Sequence, residues 1–156
     1  LAELSAGDTD KPIRVLALDL EGTLISNAVS CFPRPGLHAF LEFCRDHFPR
    51  VVLFTTVPEA RVRPILDTLV AEGAAPSWLR QIECVRWSGP IKDLRFIGDV
   101  EADDALLVDD LESYVHPDQR AQWVPIALFA APYPQNDREL TRVTEELRRR
   151  TKALQS

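Results

Sequence analysis

Short, nearly continuous apolar runs alternate in this chain with longer stretches of helical period, and that alternation restricts the fold more than any other feature. Residues Pro12 to Leu20 carry Ile13, Val15, Leu16, Ala17 and Leu18 with almost no polar break, as a strand buried on both faces of a parallel sheet requires. "RVVLFTTV", from Arg50, repeats the pattern and ends in Thr55 and Thr56. "ALLV" at Ala105 to Val108 and "VPIALF" at Val124 to Phe129 repeat it twice more. After Pro35, the residues Leu37, Phe40, Leu41, Cys44 and Phe48 fall at helical spacing. Val62, Ile65, Leu66, Leu69 and Val70 do the same up to Gly73, the expected stop. Pro64 lies inside that second stripe, which predicts either a kink there or a helix that begins at Pro64. "NDRELTRVTEELRRR" predicts a closing amphipathic helix, capped by Asn136 or Asp137 and facing inward with Leu140, Val143 and Leu147. Strands alternating with helices specify the α/β class with a mainly parallel sheet.

The length of 156 residues suits one core, so a single domain over 12–150 is expected, with flexible ends at 1–11 and 151–156. A formal charge of −6 disfavours nucleic acid or an anionic membrane surface as partner. Arg148, Arg149 and Arg150 follow Glu145 and Glu146 and read as a solvated helix end rather than a basic tail. Cys31, Cys44 and Cys84 are too scattered for a CxxC metal site, and an odd count makes no disulfide framework. A reducing, cytoplasmic setting is therefore expected. No apolar run approaches the length of a membrane span. The opening "LAELSAGDTDK" lacks the basic start and apolar middle of a signal peptide, and without any Met a translational start is expected upstream.

In open α/β sheets the ligand site lies outside the carboxyl ends of the strands. Four points of this chain bear on such a site: Asp19 with Glu21, Thr55, Lys92, and Asp109 with Asp110. Like charges crowded together are tolerated only when a cation or a proton neutralises them, and hard oxygen ligands suit magnesium. A lysine and a threonine hydroxyl complete a site for a phosphoryl group. One carboxylate can then attack phosphorus and form an aspartyl-phosphate. Asp19 and Glu21 alternate along an extended segment, so both face one pocket, and Gly22 lets the chain turn tightly after them. Taken singly, an acid after a strand is more often a cap, and "DD" more often a solvated turn. His38, His47 and His116 read as structural or surface residues.

Read together, "DLEGTL", "LFTT", "IKDL" and "LLVDD" resemble the four ordered motifs of the haloacid dehalogenase superfamily of aspartate-nucleophile phosphatases, with Glu in the second acidic place. "RPGLHAFLEF", "ECVRWSGPIKDL" and "LLVDDLESYVHPDQRAQWVPI" are similar to its capless branch of NLI-interacting-factor-like and RNA polymerase II C-terminal-domain phosphatases. The resemblance spans roughly Ile13 to Leu147. It implies a Rossmann-like fold with helices on both faces of the sheet and no large cap domain. It also implies Asp19 as nucleophile, Glu21 as general acid/base, and a phosphate cradle of Thr55, Thr56, Lys92 and the turn at Gly22. Magnesium would be held by Asp19, the backbone carbonyl of Glu21 and one of Asp109 and Asp110, with Asp110 the first choice; Thr23 would support the loop after the strand. Glu21 is one methylene longer than Asp, as in the superfamily's enolase-phosphatases, and "DDLES" departs from the branch's usual Ser-Pro after the acids.

Neither gap between motifs holds room for a folded lid; "WLRQIECVRW" reads at most as a short strand pair. An open site admits a phosphoprotein or phosphopeptide as well as a small phosphomonoester. Trp78, Trp87 and Phe32 are candidates for its entrance, or ordinary core and surface aromatics. The order of the motifs is wrong for a phosphoacceptor receiver domain, in which a middle-strand Asp precedes Thr and Lys. The competing expectation is a catalytically weak or inactive module that binds phospho-ligands or serves as a scaffold. The oligomeric state is not legible in the sequence.

Overall fold

The computed structural model describes residues 12–155 and has five strands in one all-parallel sheet. These are β1 (Val15–Leu18), β2 (Arg50–Leu53), β3 (Glu83–Cys84), β4 (Ala105–Asp109) and β5 (Trp123–Pro125). Three α-helices, α1 (Leu37–His47), α2 (Glu59–Ala71) and α3 (Glu139–Gln155), alternate with them. The spatial order is β3-β2-β1-β4-β5. The chain therefore builds outward from β1 to β3 on one side, crosses back, and continues through β4 to β5 on the other.

That reversal decides which face each connection covers. Right-handed crossovers running in opposite directions lie on opposite faces of a sheet. Leu16, Leu18, Leu53, Leu106 and Val108 accordingly pack with the inward stripes of all three α-helices. Val15, Ala17, Val52, Phe54 and Leu107 face the other way, where the return connection supplies Leu94 and Ile97. Helices thus cover both faces, but on the second face they are short 3₁₀ turns at Leu94–Ile97 and Ala102–Asp104. Central strands buried on both faces must be apolar at every position, which is why β1 and β4 are legible as continuous runs.

The apolar stripes read from the sequence are buried as expected: Leu37, Phe40, Leu41 and Cys44 on α1, Val62, Ile65, Leu66 and Leu69 on α2, and Leu140, Val143 and Leu147 on α3. Gly73 takes φ +77 just past α2, where its N–H and that of Ala74 close the last turn onto Val70 and Leu69. Asp137, not Asn136, caps α3 by accepting from the Glu139 N–H.

Three expectations need correction. Helix α2 begins at Glu59, not at Pro64, and runs through the proline. Pro64 forfeits one backbone bond, but the carbonyl of Pro58 takes the N–H groups of Arg61 and Val62 and starts the helix earlier. "WLRQIECVRW" forms a 3₁₀ helix at Ser77–Gln81 and one edge strand, β3, rather than a strand pair; β3 lies parallel to β2. The last strand stops at Pro125, since it pairs only with β4, whose ladder ends at Asp109. Helix α3 spans Glu139–Gln155. The expected looseness of 1–11 and of Ser156 lies outside the described residues. Between β1 and β2 there is only a loop and α1, and between β2 and β4 only α2, β3 and 3₁₀ turns, so no folded lid interrupts the described residues.

Candidate active site

The point where strand order reverses lies between β1 and β4, and the carboxyl ends of those strands carry the acids. Leu18 pairs with Val108, and the Asp19 N–H continues the ladder to the Val108 carbonyl at 3.0 Å. Asp19 and Asp109 therefore leave neighbouring strands side by side. Each is buried, Asp109 completely.

Lys92 reaches them from the return connection. Its ammonium lies 2.8 Å from Asp19 Oδ1 and 2.6 Å from Asp109 Oδ2, with a side chain wholly out of water. Its backbone N–H donates to the Tyr114 carbonyl at 2.8 Å, and its Nζ sits 4.8 Å from the centre of the Tyr114 ring. The next turn is fixed by buried Gln119, which accepts from the Leu94 N–H at 2.9 Å and donates to Asp93 at 2.8 Å. Two indoles tie down the strand ends: Trp87 donates to the Thr55 carbonyl and Trp123 to the Asp109 carbonyl, each at 2.9 Å.

The third acid, Asp110, is half-buried. The Thr23 hydroxyl stands 2.8 Å from Asp19 Oδ2 and 3.2 Å from Asp110 Oδ1. One hydroxyl proton thus serves two carboxyl groups. Burial pushes Asp19 up to about 7 against the attraction of Lys92. Burial, reinforced by the charge of Asp19, pushes Asp109 up to about 6, again opposed by Lys92. Burial alone would depress Lys92, yet the charges of Asp19 and Asp109 hold it above its ordinary value.

Three carboxyl groups against one ammonium leave a site short of positive charge. Asp19, Asp109 and Asp110 each place an oxygen within 4.8 Å of the others, which suits one divalent cation. Asp109 already spends Oδ2 on Lys92 and Oδ1 on the Leu111 N–H at 2.9 Å. Asp110 meets Thr23 through Oδ1, and with Asp19 and Asp109 it forms a donor set that fits a hard cation. Glu21 is not part of this group: its Oε2 accepts from the Ala28 N–H at 2.6 Å.

Gly22 lies in the turn after Asp19 and Glu21. It has φ +76, and a Cβ there would lie 2.6 Å from Leu128 Cδ1 and 3.0 Å from Asp110 Oδ2. Thr55 is buried at the end of β2, its Oγ1 accepting from the Val57 N–H at 3.1 Å and keeping its own proton to donate. Thr56 is exposed beside it. Both line a cleft of about 500 Å³ together with Pro58, Glu59, Arg86 and Trp87. Of the other aromatics, Trp78 bonds Glu42 and stacks with Arg45 away from this cleft, and exposed Phe32 packs edge-on to Tyr133.

A family model of NLI interacting factor-like phosphatases matches residues 14–155, nearly the whole chain. The chain belongs to that family. Among solved structures it is similar to an arginine-to-alanine variant of the fission yeast RNA polymerase II CTD phosphatase Fcp1 bound to beryllium fluoride, with a TM-score of 0.54 and 14% identity. That likeness is one of fold, and it covers 99% of this chain and 54% of the yeast chain. This chain thus spans about half the length of that relative. No curated protein matches. Two side chains were not singled out from the sequence, Arg34 and Gln119. Both are buried and polar, and each reaches a partner remote in sequence.

Proposed function

We propose that this member of the NLI interacting factor-like phosphatase family hydrolyses phosphomonoesters through an aspartyl-phosphate on Asp19, with magnesium as cofactor. The observation that carries the reading is the buried Asp19 carboxylate, held between Lys92 and Thr23 with Asp110 beside it. Asp19 Oδ attacks phosphorus as the bond to the ester oxygen breaks, and Glu21 gives that oxygen its proton. Glu21, now ionised, takes a proton from water as the water oxygen attacks phosphorus, freeing Asp19 and inorganic phosphate. Lys92 and the Thr55 hydroxyl stabilise the phosphoryl oxygens, and Thr56 and the Gly22 turn complete their cradle. The Glu21 backbone carbonyl would join Asp19 and Asp110 as cation ligands. Magnesium, when bound, neutralises the carboxylates and the charge of the phosphoryl group.

The cleft that opens from Thr55 and the lack of a lid in the described residues favour a phosphorylated protein or peptide, with small phosphomonoesters as lesser substrates. Among the described residues no helix is long and apolar enough to cross a membrane. The three cysteines are free, which supports a reducing, cytoplasmic setting.

A second reading, in which the chain binds phospho-ligands without turning them over, draws on one observation: the Glu21 carboxylate is engaged by the Ala28 amide. Hydrolysis of an aryl phosphate separates the two. Turnover with magnesium, lost with EDTA and with Asp19→Asn, is the expected result. A folded wild-type protein that hydrolyses neither the aryl phosphate nor a phosphopeptide library would leave only the second reading.

A further inference from the structure

Arg34 is fully buried, and none of the steps above uses it. Its guanidinium is nonetheless joined to the loop that follows the nucleophile. Nη1 donates to the carbonyls of Gly22 and Thr23 at 3.2 and 3.3 Å. Nε and Nη2 donate to the two oxygens of Asp137 at 2.9 and 3.0 Å, and the group lies 5.3 Å from the centre of the Phe129 ring. Asp137 is itself anchored, since its Oδ1 takes the Glu139 N–H at the start of α3. The Phe129 N–H donates to the same Gly22 carbonyl at 2.9 Å. The backbone N–H of Arg34 is bonded to Leu24 at 2.9 Å, so the side chain springs from the loop's own far end.

Gly22 and Thr23 stand against two of the acids. Thr23 carries the hydroxyl that lies between Asp19 and Asp110, and a Cβ on Gly22 would lie 3.0 Å from Asp110 Oδ2. Resting on the phosphatase reading above, we propose that Arg34 is a positioning residue for the phosphoryl-transfer site. It pins the Gly22–Thr23 carbonyls to the Asp137 anchor just before α3, so that Thr23 holds Asp19 and Asp110 at the spacing the cation and the attack require. The planar fork matters as much as the charge. Lysine offers one point charge and cannot span a carboxylate and two carbonyls at once. A merely structural salt bridge would contribute to stability and leave the chemistry of folded molecules unchanged.

Arg34→Lys, Arg34→Ala and Asp137→Asn separate these roles. Each is compared with wild type for kcat and KM on an aryl phosphate with magnesium, for Mn²⁺ affinity by electron paramagnetic resonance titration, and for thermal unfolding. For folded Arg34→Lys the expected result is a kcat lower by about 100-fold with KM nearly unchanged, the cost of misplacing reacting groups by about an ångström. Mn²⁺ binding is expected to weaken about 10-fold, the lower end for loss of a group that orients metal ligands. Guanidinium ion added to Arg34→Ala should restore part of kcat, and Asp137→Asn should fall between Arg34→Lys and wild type. Variants with lowered Tm but wild-type kcat and Mn²⁺ affinity would overturn the proposal. If Arg34→Ala does not fold, the Lys and Asn variants decide on the same readouts. A wild-type protein without turnover would sink the phosphatase reading separately, and the Mn²⁺ affinities would then decide the role of Arg34 by themselves.

Discussion

Replacing Lys92 with methionine tests the electrostatics of the site, because methionine keeps much of the stem and removes the charge. The ammonium stands 2.8 Å from Asp19 and 2.6 Å from Asp109, away from water. Removing one partner from a buried ion pair costs about 3–5 kcal/mol, since the other is left uncompensated. Here the cost depends on pH. Burial, opposed by Lys92, already holds Asp19 at about 7 and Asp109 at about 6, above the ordinary 3.8. For an acid whose folded pKa is raised, stability is fully present below the unfolded pKa and is lost as pH rises through the folded one. Losing Lys92 raises both folded values further. The variant's deficit without metal is therefore small near about pH 5, larger near about pH 8, and reaches its full size only above the variant's own raised pKa values. At about 2–4 °C per kcal/mol for a chain of this size, that is roughly 6–20 °C in Tm. Thermal and urea unfolding at both pH values, with EDTA and with magnesium, measures it. Magnesium is expected to return part of the loss at the higher pH. An equal deficit at the two pH values would refute the reasoning, because a packing defect does not titrate.

Gly22→Ala should lose about 1–2 kcal/mol from its positive φ. Its activity should fall much further, because the added methyl meets Asp110 at 3.0 Å. Leu128 is 59% exposed and can swing aside, so adding Leu128→Ala should not restore turnover; recovery in the double variant would show that Leu128, not Asp110, is the obstacle. Gln119→Leu leaves the Leu94 N–H without its partner and should cost about 1–3 kcal/mol in urea unfolding. It should also reduce kcat, because the turn after Lys92 loosens; an unchanged kcat would confine Gln119 to stability. Glu21→Gln removes the proposed proton donor and should lower kcat by about 100-fold or more on esters with poor leaving groups, and less on activated aryl esters. A loss that ignores the leaving group would argue against Glu21 as the acid.

What the sequence made legible follows from which forces act locally. Buried parallel strands need unbroken apolar runs and core-facing helices need an apolar stripe, so β1, β4 and the inward residues of α1, α2 and α3 could be read off directly. Asp19, Lys92, Asp109 and Asp110 were legible because strand ends converge in an open α/β sheet, and the structure brings these four together. The clamps around them were not. Arg34 and Asp137 are 103 residues apart, and Leu94 and Gln119 are 25 apart. Only the order of the strands makes each pair neighbours. "RPGL" carried one usable signal, an arginine between two prolines at the start of an apolar helix, and Asp137 was legible only as a cap. The edge was misread for a related reason: β3 is two residues long and has one neighbour, so no apolar pattern is imposed on it.

The same distinction between local and remote forces bears on the glutamate at the second acidic place. An extra methylene ought to carry the carboxyl group away from where a shorter acid would put it. The loop after it is built to receive that length. Asn27 Oδ1 accepts from the N–H groups of Val29 and Ser30, and Ser26 Oγ accepts from the Phe32 N–H. These bonds hold the turn in which the Ala28 amide meets Glu21 Oε2 at 2.6 Å. One carboxyl oxygen is thus fixed by the backbone, and under the proposed mechanism the other exchanges the proton with the ester oxygen and then with water. An aspartate would fall a methylene short of that amide and lose the bond that orients it. In this fold, therefore, Glu21 and the Ala28 turn act as one unit, and shortening the side chain to the more common acid should lower activity rather than raise it.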